Sequence, residues 1–417
     1  MPRMSQEHIA VVIGGAVAGS EATLKLREKG IRVILIEQNP LPYGKIEDGL
    51  PRWHVEQRKK EEEKINERLD HALVHFVPST KLGKDLSFEE IYKEWSVSAI
   101  LLASGAWRDR PVGVEEFDRY VGKGLLYQNP VVYWFNHYHE PSYNGPRYEI
   151  PDNTIVVGGG LASMDVLKIC QFEITQRALL KRGIKMDMLT LEKEGIPRAL
   201  EKHGLKWADL GLKGTTLYYR RRVQDMPLAD TPPKPTPEQL EKADALRTKI
   251  FNNYQSKNLF NMQERHLPKA PIIDNGSLVG IRFTRTEIVD RKVRELPNTE
   301  VEVRFNLAIS SIGSIPESIP GIPQKGETYE VEDLETGKVK NLPNVYALGN
   351  AVTGKGNIRV SMMHGRKVAE QVATMLAAQT PKTTNAEKLM ARVKALQSRA
   401  GYDGNFKSWV EKQLAMR

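Results

Sequence analysis

The stretch Ile9-Ala-Val-Val-Ile-Gly-Gly-Ala-Val-Ala-Gly-Ser-Glu-Ala22 decides the fold of this 417-residue chain. Its apolar run predicts a buried parallel strand that breaks at the glycine pair and leads into a helix. A second β-rich run, residues 31–36, follows the helical segment and ends in Glu37. Strand, glycine turn, helix, strand and terminal acid together indicate a dinucleotide-binding unit.

The residues of this first turn have separate expected roles. Gly14 permits the tight turn, Gly19 lets the helix pack closely on the strand, and Glu37 can accept hydrogen bonds from ribose hydroxyls. The helix N-terminus offers N–H groups and a positive dipole end to a pyrophosphate. Ala16 takes the middle glycine position, where a methyl group is tolerable but tight. A turn that binds nothing is the alternative, but the placement between strand and helix, with the spaced Glu37, favours a nucleotide.

The same pattern of strand, glycine turn and helix recurs at Thr154-Ile-Val-Val-Gly-Gly-Gly-Leu-Ala-Ser-Met-Asp165. Gly158, Gly160 and Ser163 fill the three fingerprint positions, and Leu161 opens the helix. A single match of this kind is weak, but two in the correct strand–helix context predict two dinucleotides, one in each domain. We therefore predict an α/β protein with two Rossmann-like domains, the second inserted in the first. The expected boundaries are residues 1–112 plus 318–417 for the first domain and 113–317 for the second.

Two segments compete for the end of the strand that follows the second unit. Glu192, at the end of segment 186–192, would favour the ribose 2′-OH of NAD(H). Arg220 and Arg221 would instead bind the 2′-phosphate of NADP(H) through charge-assisted hydrogen bonds. A solvated loop is a third interpretation of the arginine run.

Two later segments predict backbone that passes close to a ligand. Segment 98–106 is a buried strand ending in Ala103-Ser-Gly105, whose small residues would let an adenosine or a flavin approach. Segment 343–359 is a strand, a glycine-rich loop and the start of a long helix, whose N–H groups could stabilise negative charge on a reduced flavin. The residues expected to line this loop are Gly349, Asn350, Gly356, Asn357 and Ile358.

Shorter patterns predict local structure. Ser87 with Glu90 three residues later has the spacing of a helix-capping box. Asn275-Gly276 between two alternating runs predicts a β-hairpin. The aromatic segment 125–139 predicts a helix, and we expect its aromatic side chains to pack between the domains.

Composition limits the function classes. The one cysteine, Cys170, cannot form an internal disulfide, a redox pair or an iron–sulfur site, which excludes disulfide-reductase chemistry of the thioredoxin-reductase type.

No run approaches the roughly 20 apolar residues of a membrane span. The first eight residues lead directly into a strand, so we expect no signal peptide and a cytoplasmic location. The net charge of +9 favours an acidic partner, which could be a nucleic acid, an anionic lipid or an acidic protein. We expect no metal site, since His137 and His139 would not share a helix face.

With these stretches assembled, the chain resembles the adrenodoxin-reductase-like flavoproteins, which include ferredoxin–NADP reductases of that fold and the small subunit of glutamate synthase. The resemblance runs from about residue 9 to residue 372. Besides the two glycine units, it rests on Pro42-Tyr-Gly44, Ala103-Ser-Gly105, Tyr133-Trp-Phe-Asn136, Tyr219-Arg-Arg-Arg-Val-Gln-Asp-Met-Pro227 and Ala347-Leu-Gly-Asn-Ala351.

The resemblance implies FAD in the terminal domain, with Gly44 among its contacts, and NADP (or NAD) in the central one. It places Arg220 and Arg221 on the 2′-phosphate site, which favours NADP. It also implies hydride transfer from NAD(P)H to FAD without a protein acid or base, and then electron transfer to a ferredoxin-like carrier or a partner subunit. The acidic partner would then be a protein and not a nucleic acid. Two alternatives stay open: an electron-input subunit of a larger complex, and a non-catalytic dinucleotide-binding scaffold.

Overall fold

The structure is a computed structural model, and it describes residues 7–113, 115–232, 234–289, 292–354, 356–381 and 385–417. Residues 1–6, in the predicted approach to the first strand, and Lys355, in the predicted glycine-rich loop, lie outside the described residues. The chain divides into two compact units. The first comprises residues 1–108, 139–144 and 314–417, and the second comprises residues 109–138 and 145–313.

The strands, numbered along the chain, are β1 (Ile9–Ile13), β2 (Arg32–Ile36), β3 (Val74–Val77), β4 (Ala99–Leu102), β5 (Arg108–Asp109), β6 (Leu125–Tyr127), β7 (Thr154–Gly158), β8 (Thr216–Tyr219), β9 (Asn261–Glu264), β10 (His266–Asp274), β11 (Ser277–Val289), β12 (Lys292–Glu295), β13 (Val301–Arg304), β14 (Leu307–Ser311), β15 (Ser314–Ile315), β16 (Gln324–Lys325), β17 (Thr328–Tyr329) and β18 (Val345–Ala347). The α-helices are α1 (Val17–Glu28), α2 (Lys45–Asp48), α3 (Val55–Leu69), α4 (Phe88–Glu94), α5 (Gln128–His137), α6 (Leu161–Leu180), α7 (Met188–Glu194), α8 (Ile196–Glu201), α9 (Pro237–Asn258), α10 (Asn350–Thr353), α11 (Ile358–Ala377), α12 (Ala386–Arg399) and α13 (Phe406–Ala415).

The first unit is built on a five-stranded parallel sheet in the order β18-β4-β1-β2-β3. Both faces of this sheet are buried, because alternate residues of β1 enter different cores. Ala10 and Val12 belong to the core that includes residues of α1, α3, α11 and α13, whereas Val11 and Ile13 belong to the core that includes residues of α4 and α12. A strand covered on two sides reads as a continuous apolar run, which is the pattern seen at residues 9–13.

The second unit holds another five-stranded parallel sheet, in the order β6-β14-β7-β8-β9. A separate antiparallel sheet of β10, β11, β12 and β13 belongs to the same unit. Its β10–β11 hairpin turns at Asn275-Gly276, where both residues have positive φ, as a two-residue turn of this type requires. The predicted hairpin is therefore confirmed.

Other local predictions have mixed outcomes. Ser87 is the N-cap of α4 and accepts a hydrogen bond from the Glu90 N–H at 3.1 Å, as predicted. The Glu90 carboxylate, however, accepts from the Trp95 indole N–H at 3.2 Å. The prediction of one helix over residues 125–139 is wrong at its start, since residues 125–127 pair with β14 as strand β6. Among the described helices, none is both long and apolar enough to cross a bilayer.

Candidate dinucleotide-binding sites

The first glycine turn lies at the carboxyl end of β1, between β1 and α1. Gly14 has a φ of +94°, and a Cβ placed on it would come within 2.6 Å of the Ala103 carbonyl oxygen. A Cβ on Gly19 would lie 1.7 Å from the Gly14 carbonyl oxygen. Both positions therefore require glycine, Gly14 for its backbone conformation and both for the closeness of the surrounding backbone. This close packing brings the N-terminus of α1 to the edge of the sheet.

Ala16, the departure from the glycine fingerprint, is accommodated by a glycine opposite it. Ala16 is the N-cap of α1, and the first turn of that helix contains no acidic residue to offset the positive dipole end. A Cβ on Gly44 would approach the Ala16 methyl to 2.9 Å, and Gly44 has a φ of +51°. The extra methyl group in the turn is thus matched by a missing one in the loop after β2.

Glu37 is tied to the glycine turn itself, which the sequence did not predict. Its side chain is 3% exposed. The Gly15 N–H donates to Glu37 Oε2 at 2.7 Å, and the Asn39 N–H donates to Oε1 at 2.9 Å. Burial raises the pKa of Glu37 to about 7, although the two backbone donors act in the opposite direction. Each carboxylate oxygen has a second lone pair, so Glu37 can still accept from a ribose hydroxyl.

The predicted loop after β18 carries one more helix than expected. Residues 350–353 form the short helix α10, and α11 begins at Ile358. Gly349 has a φ of +68° and donates its N–H to His364 Nδ1 at 3.1 Å. Asn350 Oδ1 accepts from the Gly356 N–H at 2.8 Å, and the Asn357 side chain caps α11. These hydrogen bonds fix the loop at the N-terminus of a 20-residue helix.

The same loop packs on the first glycine turn. A Cβ on Gly349 would lie 2.7 Å from the Ala18 Cβ, and a Cβ on Gly365 would lie 2.9 Å from the Ala18 backbone. On the other side, Gly105 follows β4 with a φ of +70°. The structure therefore brings the predicted residues of segments 14–19, 103–105 and 349–358 to one edge of the first sheet.

In the second glycine turn, between β7 and α6, one fingerprint glycine is closely packed and another faces open space. A Cβ on Gly158 would lie 2.3 Å from both Ser163 Oγ and the Ser311 carbonyl oxygen. The Ser163 hydroxyl donates to that carbonyl at 2.8 Å, which ties α6 to β14. At Gly160, by contrast, an added Cβ would have no atom within 4 Å. The open side of this turn therefore lies at Gly160, next to Leu161, which is 52% exposed.

The arginine run follows the strand next to this turn. Strand β8 pairs with β7 and ends at Tyr219, so Arg220 and Arg221 leave the same edge of the sheet as Gly158. Arg220 is exposed and Arg221 is half-buried. Arg222 differs, since its Nε and Nη2 donate to the two Asp225 carboxylate oxygens, each at 2.9 Å.

The NAD-favouring alternative is wrong in its structural premise. Glu192 lies within α7 and not at the end of a strand. Its carboxylate forms an ion pair with Lys168 at 2.9 Å. The strand that continues the second unit is β8, so the arginines occupy the position for which Glu192 competed.

Residues 9–190 match the family model described as pyridine nucleotide-disulphide oxidoreductase. Among curated proteins, the chain is 27% identical over 160 residues to cindoxin reductase of Citrobacter braakii, covering 38% of this chain and 33% of that one. It is 28% identical over 174 residues to the mitochondrial NADPH:adrenodoxin oxidoreductase of Arabidopsis thaliana, covering 41% and 34%. The chain thus spans about a third of the length of these relatives.

Among solved structures, the chain is similar to FprA from Mycobacterium tuberculosis in complex with NADPH. The TM-score is 0.71 at 16% identity, covering 94% of this chain and 91% of that one. This likeness shows a shared fold over nearly the whole chain. The predicted α/β fold with two Rossmann-like units and the predicted resemblance to adrenodoxin-reductase-like flavoproteins are confirmed.

Proposed function

We propose that this chain is an FAD-dependent NADPH oxidoreductase that passes electrons to a ferredoxin-like carrier protein. The observation that carries the proposal is the presence of two glycine turns in one chain, each at the carboxyl edge of its own parallel sheet. Cindoxin reductase and NADPH:adrenodoxin oxidoreductase, two of its relatives, are named for the same class of reaction.

FAD is assigned to the first unit. The backbone of the turn at Gly14, Ala16 and Gly19 would receive the pyrophosphate at the N-terminus of α1, because the first turn of that helix contains no acidic residue. Glu37 would accept from the ribose next to that turn. The remaining contacts are assigned to Gly44, Ala103, Gly105, Gly349, Asn350, Gly356, Asn357 and Ile358. The observation that supports this assignment is their convergence on one edge of one sheet.

NADP is assigned to the second unit. The turn of Gly158, Gly160, Leu161 and Ser163 would receive the pyrophosphate, and its open side at Gly160 leaves room for it. Arg220 and Arg221 would hold the 2′-phosphate. Their guanidinium groups suit a phosphate dianion, whereas Glu192, which would have favoured NAD, lies elsewhere.

When bound, FAD supplies the redox chemistry, because it can take up a hydride and release electrons one at a time. The residues of this chain bind and orient the two nucleotides, and no side chain is assigned as an acid or a base. The proposal requires the nicotinamide and the flavin to meet at roughly 3–3.5 Å, so it predicts that the two units can bring their nucleotides together.

The acceptor is proposed to be an acidic electron carrier. A net charge of +9 would attract such a protein and accelerate the encounter. We place this activity in the cytoplasm, as the sequence leads us to expect.

An electron-input subunit is the second candidate. One relative, at 26% identity over 194 residues, is the NADPH-Fe(3+) oxidoreductase subunit beta of Geobacter sulfurreducens, and the match covers 27% of it. In that case the chain would perform the same NADPH-to-FAD half-reaction but would need a partner subunit for turnover.

A ferredoxin-reduction assay tests the proposal. The purified protein should carry FAD and reduce an acidic [2Fe–2S] ferredoxin with NADPH, with a kcat/KM that falls as salt is raised. Reduction of the bound FAD without turnover on added ferredoxin would favour the subunit role. A protein that binds no FAD, even when FAD is added in excess, would contradict both and favour a scaffold.

A further inference from the structure

The backbone of the arginine run after β8 is held at two consecutive carbonyl groups. The Thr286 hydroxyl donates to the Arg220 carbonyl oxygen at 2.7 Å. The Arg265 N–H donates to the Arg221 carbonyl oxygen at 3.1 Å, and the Arg265 carbonyl oxygen accepts from the Thr286 N–H at 3.0 Å. Thr286 therefore supports the run twice, directly through its side chain and indirectly through its backbone.

The next two residues of the run are held as well. The Arg222 N–H donates to Asp225 Oδ2 at 3.1 Å. The Val223 N–H donates to the carboxylate of Glu264, which is the last residue of β9. Every residue from 220 to 223 thus has a backbone hydrogen bond to another group of the second unit. Segments that connect elements are usually mobile, whereas this one is fixed along its length.

Thr286 lies on β11, in the antiparallel sheet, and its side chain is fully buried. Thr284, two residues earlier on the same strand and therefore on the same face, is buried too. The Thr284 hydroxyl donates to the Leu296 carbonyl oxygen at 3.3 Å. The two threonines thus form the same kind of hydrogen bond from neighbouring positions, but that of Thr286 reaches the arginine run and that of Thr284 does not.

A fixed backbone matters for a phosphate site made of arginines. Consecutive guanidinium groups repel one another, and each is carried on a long side chain with many rotamers. If the backbone also moved, binding of a phosphate would have to order both the backbone and the side chains, which costs affinity. Hydrogen bonds that hold the backbone in advance reduce that cost.

We propose that Thr286 is a positioning residue that strengthens the preference for NADP(H) over NAD(H), and this inference rests on the proposed function. Its hydroxyl holds the Arg220 carbonyl, so that the two arginines assigned to the 2′-phosphate start from fixed backbone positions. Thr286 itself does not contact the nucleotide. Its effect should be confined to the 2′-phosphate, because the pyrophosphate is assigned to the turn at Gly158 and Gly160.

Three substitutions separate the hydroxyl of Thr286 from the general packing of β11. Thr286→Val has nearly the same shape as threonine but lacks the hydroxyl, whereas Thr286→Ser keeps it. Thr284→Val removes the neighbouring buried hydroxyl, so it controls for any loss of stability in the same sheet. Each variant is compared with the wild type as the FAD-loaded protein.

The first readout is the Kd for NADP⁺ and for NAD⁺, measured by calorimetry without turnover. Thr286→Val should raise the Kd for NADP⁺ about 3- to 10-fold, which is the range expected when one hydrogen bond is lost, and should change the Kd for NAD⁺ much less. Thr286→Ser and Thr284→Val should keep the wild-type ratio of the two constants. A merely structural role for Thr286 would not change this ratio.

The second readout uses the wild-type protein alone and holds even if Thr286→Val does not fold. Amide hydrogen exchange, followed by mass spectrometry, should show that the N–H groups of Arg222, Val223 and Arg265 are protected before NADP⁺ is added. Rapid exchange that slows only after NADP⁺ is added would overturn the inference, since the run would then be ordered by the nucleotide.

An unchanged NADP⁺ to NAD⁺ ratio in Thr286→Val would also overturn the inference. So would an equal change of that ratio in Thr284→Val, which would show that the sheet as a whole and not the Thr286 hydroxyl is responsible. These results leave the proposed function intact, because the wild-type protein would still bind FAD and prefer NADP⁺. A wild-type protein that holds no FAD, or binds NADP⁺ and NAD⁺ equally, would instead remove the proposed function on which the inference rests.

Discussion

Replacing Arg220 and Arg221 by alanine should weaken the use of NADPH and leave the use of NADH almost unchanged. Both arginines follow β8 at the edge of the sheet that carries the second glycine turn. NADH lacks the 2′-phosphate that these guanidinium groups are assigned to bind. The effect should therefore depend on the nucleotide and not on the general stability of the unit.

The size of the effect follows from the kind of hydrogen bond that the substitutions remove. A hydrogen bond to a charged group contributes about 1.5–3 kcal/mol, so removing one should lower kcat/KM for NADPH about 10- to 150-fold. The double variant should lose at least that much. The assay is steady-state reduction of an artificial electron acceptor with each nucleotide in turn, on protein with a confirmed FAD content.

Arg222 provides a matched control within the same run. Its guanidinium already donates two hydrogen bonds to Asp225, so Arg222→Ala removes the same charge without removing an assigned phosphate ligand. It should affect NADPH and NADH to a similar extent. Equal losses with both nucleotides in the double variant, or a larger NADPH-specific loss in Arg222→Ala, would refute the assignment of Arg220 and Arg221.

Three further predictions concern the second glycine turn, the buried carboxylate of Glu37, and the contact between α13 and the loop after β2. Gly160→Ala should keep the wild-type Tm, because its added Cβ would have no protein atom within 4 Å, but it should raise the KM for NADPH, because that Cβ would occupy the open side of the turn assigned to the pyrophosphate. Gly158→Ala should lower the free energy of unfolding by about 1–3 kcal/mol in a urea titration, because its Cβ would lie 2.3 Å from two oxygens. Glu37 has a folded-state pKa raised from 4.5 to about 7, so its contribution to the stability of the FAD-free protein is full below pH 4.5 and is lost as the pH rises through 7. Tm measured against pH should show that decline, and Glu37→Gln should flatten it; an unchanged slope would mean that another group is responsible. Trp409→Phe removes the indole N–H that donates to the Pro40 carbonyl at 2.7 Å, and should cost about 0.5–1.5 kcal/mol by urea denaturation. A variant as stable as the wild type would show that this hydrogen bond contributes nothing.

The parts of the fold that depend on local sequence could be predicted. The strand–glycine–helix units at Gly14 and Gly158 could be predicted because each part has its own sequence pattern. A parallel strand buried on both faces is a continuous apolar run, the turn contains glycines, and the helix shows helical periodicity. The hairpin at Asn275-Gly276 could be predicted for a similar reason, since few residue pairs tolerate positive φ at both positions.

The parts that depend on long-range pairing could not be predicted. Glu192 ends a short, mostly apolar segment that is a candidate strand, but the segment forms helix α7, and the Glu192 carboxylate pairs with Lys168. Residues 125–127 have no strand signature beyond being apolar, and their partner strand β14 lies far along the chain. Periodicity alone cannot separate short apolar runs of these two kinds.

In the candidate sites too, features set by local sequence could be predicted and features set by long-range contacts could not. The glycines were identified by their spacing, whereas the partners of the polar groups were not. Nothing in the sequence places His364 on the Gly349 N–H, or the Glu37 carboxylate on the N–H of Gly15. Arg220 and Thr286 are separated by 66 positions, and only the folded chain brings them together.

The central claim is that one chain holds both nucleotides and lets them react. It is tested most directly by rapid anaerobic mixing of the FAD-loaded protein with NADPH, and separately with NADH, without any acceptor. We expect the absorbance of oxidised flavin to disappear in a single turnover, faster with NADPH than with NADH. A protein with stoichiometric FAD whose absorbance does not change with either nucleotide would contradict the account.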